Sequence, residues 1–312
     1  MKVSSVLDTL TVNAYAKINL TLDVFSKRAD GYHSIASVFQ AIGLRDRLRL
    51  ERQNEEGILF SCDSPSAIPV PNDPTNLVWR AADLLLRTSQ SAGKPVTGGV
   101  AIHLEKRIPS QAGLGGGSSD AAATLVGLNR LLELGWEAKA LLEMAAQLGS
   151  DVPFFIIGGT VVARGRGEQL TPLADAPQRG IVVVKPEVGV STAWAYNQLD
   201  SLPDRVSHRA TKRLEEALAQ GDMGRFMAWQ SNDFELPVFE HYRELSWLHD
   251  ELRMAGAESV HLCGSGSALY GMTSTTAQAE RIAKLLQQKY PLTFATTTLT
   301  RTESNPLAES QS

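Results

Sequence analysis

The chain has 312 residues, a formal net charge of -4 at pH 7, 43% hydrophobic residues and 21% charged residues. These values are typical of a globular protein with one large or two medium domains, and the acidic balance disfavours nucleic-acid binding. Two isolated cysteines, Cys62 and Cys263, are too few for a disulfide framework or a zinc site. Because we find neither a signal peptide nor an apolar run long enough to cross a bilayer, we expect a cytoplasmic protein without membrane contact.

Alternating and helical patterns divide the first half of the chain into strands and helices. Strands are predicted over residues 10–24, 34–42, 46–51 and 99–104, and helices over 76–88 and 137–148. Asp30 and Gly31 form a hairpin-type turn signal after the first strand. Residues 65–74, which contain several prolines, are expected to form an irregular loop.

A polar, proline-containing connector at residues 175–180 predicts a domain boundary, with an N-terminal domain over 1–175 and a C-terminal domain over 176–302. The second half is predicted to contain strands over 181–185 and 294–300, a strand–turn–strand unit over 260–271, and helices over 193–199, 206–220, 223–231, 240–255 and 277–288. Residues 303–312 have few apolar side chains and are expected to be a disordered tail. The mixture of antiparallel strands and helix pairs predicts an α+β fold in two domains.

The most informative pattern is the segment 109–124, Pro-Ser-Gln-Ala-Gly-Leu-Gly-Gly-Gly-Ser-Ser-Asp-Ala-Ala-Ala-Thr. A predicted strand precedes it, and an alanine-rich helical pattern follows it. Ser118 and Ser119 occupy the positions expected of N-cap residues, and Asp120 favours the first helical turn. A strand, a glycine turn and a helix start direct bare N–H groups toward one point, so the segment predicts a phosphate site.

Two familiar phosphate loops are excluded at this segment. A Walker A loop ends in Gly-Lys-Ser/Thr, and no lysine lies between Arg107 and Arg130. A dinucleotide fingerprint would need a third glycine where Ser118 stands. The alternative is a glycine-rich connector without a ligand, which is less favoured because five small residues cost conformational entropy unless a ligand must reach the backbone.

Three further segments carry small or polar residues suited to close approach. The first holds Lys17 and Asn19, the second is Gly264-Ser-Gly-Ser267, and the third places Asp151 just after a helix stop. Each also has a purely structural interpretation. Lys17 could be a strand lysine that extends to solvent, Asp151 could cap the short helix that Pro153 begins, and the second segment could be a tight turn supporting the cleft.

Together these segments resemble the GHMP kinases, the superfamily of galactokinase, homoserine kinase and mevalonate kinase. The resemblance runs from about residue 12 to residue 301. Its most specific motifs are Ala14-Tyr-Ala-Lys-Ile-Asn-Leu20, Arg28-Ala-Asp-Gly-Tyr-His-Ser34, residues 109–122, Gly149 to Pro153, Asn232-Asp-Phe-Glu235 and Gly264-Ser-Gly-Ser267. The first two motifs are the narrower signature, and both match the branch of the family that phosphorylates cytidine-diphospho-methylerythritol.

The resemblance implies a two-domain fold with a mixed α/β N-terminal domain and a ferredoxin-like C-terminal domain. It implies transfer of the γ-phosphoryl group of ATP, with Mg²⁺, to the 2-hydroxyl of 4-(cytidine 5'-diphospho)-2-C-methyl-D-erythritol, in non-mevalonate isoprenoid precursor biosynthesis. It assigns catalysis to Lys17 and Asp151 and substrate binding to Asn19, Tyr32 and His33. The residues that it assigns to ATP are Pro109, Ser110, Gln111, Ala112, Gly113, Leu114, Gly115, Gly116, Gly117, Ser118 and Ser119.

Several alternatives stay open at this point. The acceptor could be another small alcohol such as homoserine or mevalonate, but Tyr32 and His33 would then have no pyrimidine to stack on or to meet at its edge. Tyr32 could also simply pack beside its turn. A non-catalytic nucleotide-binding protein would have no use for both Lys17 and Asp151. Lys17 either orients the hydroxyl or screens developing charge, and Lys106 faces either the nucleotide or solvent.

Overall fold

Two β-sheets and their helices make up the part of the chain that the computed structural model describes, residues 8–64, 71, 73–202 and 209–308. The strands are β1 (Thr9–Lys27), β2 (His33–Gln53), β3 (Ile58–Asp63), β4 (Gly99–Glu105), β5 (Thr160–Gly165), β6 (Gln169–Pro172), β7 (Gly180–Val184), β8 (Ser231–Asn232), β9 (Ser259–Leu262), β10 (Leu269–Thr273) and β11 (Thr293–Thr297). The helices are α1 (Leu77–Ser91), α2 (Gly116–Leu131), α3 (Ala138–Leu148), α4 (Val152–Ile157), α5 (Thr192–Ser201), α6 (Ala210–Gln220), α7 (Met223–Ala228), α8 (Glu235–His241), α9 (Arg243–Met254), α10 (Thr276–Leu286) and α11 (Arg301–Ser304). None of these described helices is long and apolar enough to cross a membrane.

The two longest strands, β1 and β2, form one antiparallel hairpin. The sequence predicts a break in the second strand between residues 42 and 46, but β2 continues through it. The pairing shifts instead, because Tyr15 faces Arg45 whereas the next residue, Ala16, faces Ile42. The intervening residues of β2 have no partner on β1 and form a bulge, which bends the strand.

The first sheet has the strand order β3-β4-β2-β1-β8, and β5 pairs with β2 and with β6. The bulge separates two branches, since β5 pairs with residues 35–40 of β2 and β4 pairs with residues 47–53. Strands β3, β5 and β6 are not among the predicted elements. They contain only 6, 6 and 4 residues, and periodicity does not identify such short runs reliably.

The second sheet is antiparallel throughout, with the order β11-β7-β10-β9. Two helices pack on this sheet: α9 contacts β9 and β10, and α10 contacts β7, β10 and β11. The second half of the chain also reaches into the first sheet, because β8 pairs in parallel with residues 21–22 of β1. The boundary predicted between residues 175 and 176 falls between β6 and β7 and stays a prediction.

Several predicted helices differ in extent from the observed ones. The helix predicted over 240–255 is two helices, since Tyr242 leaves helical geometry between α8 and α9 with φ -102° and ψ 83°. The helix predicted over 223–231 ends at Ala228, and its last predicted residue belongs to β8. Residues 206–208 of another predicted helix, and most of the loop predicted over 65–74, lie outside the described residues.

The expectation of a disordered tail is wrong for residues 303–308. Thr300 and Glu303 form a capping box that starts α11, and such reciprocal bonds stabilise a helix start. The Ser304 hydroxyl accepts a hydrogen bond from the Gly159 N–H at 2.8 Å and is buried against the first sheet's end. These bonds come from polar side chains, so a composition poor in apolar residues does not predict them. Residues 309–312 lie outside the described part of the chain.

Helix α2 packs against the β1–β2 hairpin with no free space at Gly127. A Cβ at this position would lie 2.4 Å from Leu50 Cδ1 and 3.2 Å from Val12 Cγ1. Leu50 is 0% exposed and Val12 is 5% exposed, so neither side chain has room to move in a close-packed interior. This contact fixes the position of α2, and with it the glycine loop that precedes the helix.

Replacing Gly127 with Ala is expected to lower the free energy of unfolding by about 1–2 kcal/mol, because overpacking outweighs the gain in helix propensity. Gly117→Ala is the matched control in the same helix, since its Cβ would contact only Leu77 Cδ1 at 3.7 Å. We expect the control to be as stable as the wild type or more stable. Urea unfolding followed by circular dichroism measures both variants. Equal stability of the two variants would contradict the tight packing.

Candidate active site

The glycine loop joins the end of β4 to the start of α2. Gly113 and Gly115 have φ values of 76° and 72°, a left-handed conformation that glycine adopts without strain. Gly115 is the N-cap of α2 and the helix begins at Gly116. Because the left-handed turn directs the chain into the helix at this point, α2 starts earlier than it would with Ser118 or Ser119 as its N-cap.

The prediction that Ser118 and Ser119 are N-cap residues is therefore wrong. Both serines lie within α2, and the Ser119 hydroxyl donates a hydrogen bond to the Tyr15 carbonyl at 2.7 Å. Ser119 is 2% exposed. Its described contacts attach the helix start to β1, and Ser119 does not line the cleft that the rest of the loop forms.

A cleft of about 490 Å³ lies against the glycine loop. Of the residues predicted to bind ATP, those that line it are Pro109, Ser110, Gln111, Ala112, Gly113, Leu114, Gly115, Gly116, Gly117 and Ser118. Thr75, Asn76 and Leu77 at the start of α1 form another part of its wall and are not among the predicted site residues. The first N–H groups of an α-helix have no intrahelical partner, so the start of α2 offers donors to a ligand in this cleft.

The segment 264–267 supports the glycine loop from the second half of the chain. A Cβ at Gly113 would lie 1.8 Å from the Cys263 carbonyl oxygen, so only glycine permits this approach. The Gly264 N–H donates to Asn19 Oδ1 at 3.1 Å. Burial raises the pKa of the Cys263 thiol to about 12. The thiol therefore stays protonated, as expected of a packed cysteine rather than a nucleophile.

Lys17 lies in the interior of β1 beside the glycine loop, and its backbone N–H donates to the Leu114 carbonyl at 3.0 Å. Its Nζ donates to Asn19 Oδ1 at 2.8 Å and lies 4.8 Å from the centre of the Phe39 ring. Burial lowers the pKa of Lys17, and the negative charge of Asp151 partly opposes this effect. The interpretation of Lys17 as a strand lysine that extends to solvent is wrong, because the residue is only 5% exposed.

Asp151 precedes α4 and is half-buried. It occupies the N-cap position, but its side chain makes no capping hydrogen bond. The carboxylate is close enough to Lys17 to raise the pKa of that lysine against the effect of burial. The structural interpretation of Asp151 as a helix cap is therefore wrong, and its carboxylate is free to act on a ligand near Lys17.

Asn19 connects the lysine to both halves of the molecule. Its Oδ1 accepts hydrogen bonds from Lys17 and from the Gly264 N–H, and its Nδ2 donates to Ser37 Oγ at 2.9 Å. Asn19 is 2% exposed. These bonds hold the Lys17 ammonium in place, so Asn19 supports the lysine in addition to any contact with substrate.

Tyr32 and His33 lie at the closed end of the hairpin. The Asp30–Gly31 turn is confirmed, since Gly31 has a φ of 83° and the Tyr32 N–H donates to Asp30 Oδ1 at 3.1 Å. Tyr32 is 57% exposed, and the Arg166 guanidinium lies 4.8 Å from its ring centre. Tyr32 thus presents an aromatic surface that is accessible to a ligand.

His33 is held by two residues of α5 that the sequence did not single out. Its Nε2 is 2.8 Å from Asp200 Oδ1, and its ring stacks on Tyr196 with centres 4.7 Å apart and planes 18° apart. Tyr196 and Asp200 are four residues apart on α5, so they share one face of that helix. The sequence predicts this helix only over residues 193–199, which leaves Asp200 outside it.

Two domain models of one protein family match separate parts of the chain. The model of the GHMP kinases N terminal domain matches residues 76–159, and that of the GHMP kinases C terminal matches residues 214–292. A 4-diphosphocytidyl-2-C-methyl-D-erythritol kinase of Moorella thermoacetica is 45% identical over 295 residues, which cover 94% of this chain and 100% of that protein.

Solved structures agree with these matches. A crystal structure of 4-(cytidine 5'-diphospho)-2C-methyl-D-erythritol kinase has a TM-score of 0.75 and 37% identity, covering 93% of this chain and 99% of that chain. Homoserine kinase from Cytophaga hutchinsonii has a TM-score of 0.74 at 19% identity, covering 96% of this chain and 97% of that chain, a likeness that concerns the fold alone. The two domain models together match just over half of the chain, and the fold predicted from the motifs is confirmed. This chain belongs to the GHMP kinase family.

Proposed function

We propose that the protein transfers the γ-phosphoryl group of ATP to the 2-hydroxyl of 4-(cytidine 5'-diphospho)-2-C-methyl-D-erythritol. The observation that carries this proposal is the position of Lys17, which bonds to the glycine loop through its backbone and interacts with Asp151 through its charge. A phosphate-binding cleft and an acid–lysine pair are thereby adjacent. The relatives named for this reaction support the choice of acceptor, since the Moorella thermoacetica protein matches 94% of the chain.

The nucleotide phosphates would occupy the cleft of the glycine loop. The N–H groups at the start of α2 and the positive end of the helix dipole favour anions there. Among the described residues, no three His, Cys, Asp or Glu side chains converge to hold a metal ion. Mg²⁺ binds through substrate phosphates with few protein ligands, so an ion carried by ATP fits this cleft. Such an ion would neutralise charge on the transferring phosphoryl group.

Asp151 and Lys17 would act on the acceptor hydroxyl. The Asp151 carboxylate accepts the hydroxyl proton and orients the oxygen toward the γ-phosphorus, where the new P–O bond forms as the bond to ADP breaks. Phosphoryl transfer passes through a loose transition state, so a weak base is sufficient. The Lys17 ammonium stabilises negative charge on the oxygen, and the low exposure of the site strengthens this interaction.

The cytidine end of the acceptor would bind at Tyr32 and His33. The exposed Tyr32 ring offers a stacking surface for a pyrimidine. Because a carboxylate can only accept a hydrogen bond, His33 donates to Asp200 from Nε2, and Nδ1 is the ring nitrogen that would meet the edge of the pyrimidine. An acceptor such as homoserine or mevalonate would make no use of these groups.

The proposed reaction is tested by incubating the protein with ATP, Mg²⁺ and the cytidine substrate while ADP release and the ³¹P spectrum are recorded. We expect ADP release together with a new phosphomonoester signal. Mevalonate and homoserine serve as control acceptors. Turnover with a control acceptor alone would contradict the proposed substrate, and ATP binding without turnover on any acceptor would contradict the proposed catalysis.

The Asp151→Asn variant is expected to lower kcat by about 10²–10⁴-fold, the usual contribution of a general base. Its melting temperature should stay near that of the wild type, because the Asp151 side chain makes no capping hydrogen bond. Steady-state ADP release measures kcat. Asp83→Asn, which removes a half-buried carboxylate paired with Arg87 on α1, is the matched control and should keep full activity. An unchanged kcat in folded Asp151→Asn would remove Asp151 from the mechanism.

The pH dependence of kcat should report Lys17. Because burial lowers its pKa below the ordinary value of 10.5, the ammonium loses its proton, and kcat falls, at a pH below that value. The Lys17→Arg variant keeps its charge throughout this range, so its residual kcat should not fall there. Rate profiles of both proteins in matched buffers provide the measurement. An identical alkaline fall in both proteins would contradict the role of the Lys17 charge.

A further inference from the structure

A buried ionic cluster lies directly beneath the glycine loop and has no part in the mechanism described above. It consists of Asp46 on β2, Lys106 after β4 and Asp120 in α2, which are 0%, 8% and 2% exposed. Lys106 Nζ donates to Asp46 Oδ2 at 2.5 Å and to Asp120 Oδ2 at 2.8 Å. The open alternative that Lys106 faces solvent is therefore wrong.

The cluster joins both ends of the glycine loop to the first sheet. Asp46 Oδ1 accepts hydrogen bonds from the N–H groups of Arg107 at 2.5 Å and Ile108 at 2.8 Å, where the chain enters the loop. Asp120 lies on α2, where the chain leaves the loop. Lys106 therefore bridges the start and the end of one loop through two carboxylates on different elements.

The Lys106 ammonium also lies against the part of the loop that would meet a phosphate. A Cβ at Gly116 would lie 3.1 Å from Lys106 Nζ, so the charge is directly behind the first residue of α2. Lys106, Asp120 and Gly116 all line the same cleft. A cation at this depth favours anions at the loop, because a low local dielectric weakens the screening of its charge.

The charge balance of the cluster depends on Asp120. Its Oδ1 is buried without a hydrogen-bond partner among the described residues. Burial, together with the negative charge of Asp46, raises the pKa of Asp120 to about 8 although Lys106 opposes the shift. The two carboxylates raise the pKa of Lys106 despite its burial. Cys62, the nearby thiol, has a pKa raised to about 11, chiefly by burial, so it stays neutral.

We propose that Asp46, Lys106 and Asp120 hold the glycine loop in the conformation that receives nucleotide phosphates, with Lys106 as a positioning residue for the nucleotide. This inference rests on the proposed ATP site. It concerns nucleotide binding, because the cluster contacts both ends of the loop. When Asp120 ionises, the cluster gains a negative charge behind the loop, and nucleotide phosphates should bind more weakly.

The first test measures ADP binding by isothermal titration calorimetry in EDTA at about pH 7, so that no metal ion contributes. Lys106→Met is expected to raise the Kd for ADP by roughly tenfold or more, the loss of about one strong charge interaction. Lys94→Met is the matched control, since Lys94 Nζ also donates a hydrogen bond, to the Leu134 carbonyl at 2.6 Å, but does not line the cleft. The control should keep the wild-type Kd. A Kd within twofold of wild type in folded Lys106→Met would overturn the proposal.

The second test uses Asp120→Asn, which keeps an oxygen for Lys106 but cannot ionise. Between about pH 7 and pH 9 the Kd of the wild type for ADP should rise several-fold, because Asp120 loses its proton over this range while the ADP phosphates stay ionised. The Kd of Asp120→Asn should stay constant. A purely structural role of Asp120 would change the melting temperature but would leave the wild type and Asp120→Asn with the same dependence of Kd on pH. An identical pH dependence of Kd in both proteins would therefore overturn the proposal.

The wild-type control distinguishes this inference from the function on which it rests. If the wild type binds no ADP at about pH 7, the proposed nucleotide site fails, and the positioning role fails with it. If the wild type binds ADP and Lys106→Met and Asp120→Asn behave as the wild type does, only the positioning role fails.

Discussion

The close approach of the glycine loop to its neighbours is the constraint on which the site depends. Gly113 packs against the Cys263 carbonyl, and a Cβ at Gly115 would lie 2.5 Å from the Phe155 ring and 3.2 Å from Lys17 Cγ. Side chains at these two positions would push the loop away from β1, from Phe155 and from Cys263. The absence of side chains therefore allows the cleft to lie beside Lys17 and leaves the backbone N–H groups of the loop accessible to a ligand.

The site also combines two ways of using a buried charge. Among the described residues Lys17 has no carboxylate within salt-bridge distance, so burial lowers its pKa although the charge of Asp151 opposes the effect. Lys106 lies between two carboxylates that raise its pKa, so its charge is permanent. These opposite pKa shifts fit the two roles proposed for the lysines, namely Lys17 at the acceptor hydroxyl and Lys106 behind the glycine loop. The pKa values of Lys17 and Lys106 differ because the two lysines differ in the carboxylates beside them, although both are buried.

The sequence predicted the parts of the site that depend on local chemistry. The glycine motif could be recognised because a phosphate loop needs small residues before a helix start, whereas Lys17 and Asp151 are assigned through the resemblance to the GHMP kinases. The helix start at Gly115 could not be recognised, because serine is the usual cap and the left-handed turn depends on tertiary packing. The pair of His33 and Asp200 joins residues 167 positions apart, and no local pattern reports such a contact. The same holds for Asp46, whose role requires the pairing of β2 with β4.

The most direct test of the central claim is a crystal structure of the protein with ADP and the cytidine substrate bound. The diphosphate of ADP should contact the N–H groups at the start of α2. The 2-hydroxyl of the acceptor should lie within hydrogen-bonding distance of the Asp151 carboxylate, on the side where the γ-phosphate of ATP would project. A nucleotide bound away from residues 109–118, or an acceptor hydroxyl out of reach of both Asp151 and Lys17, would contradict the assignment of this cleft as the phosphoryl-transfer site.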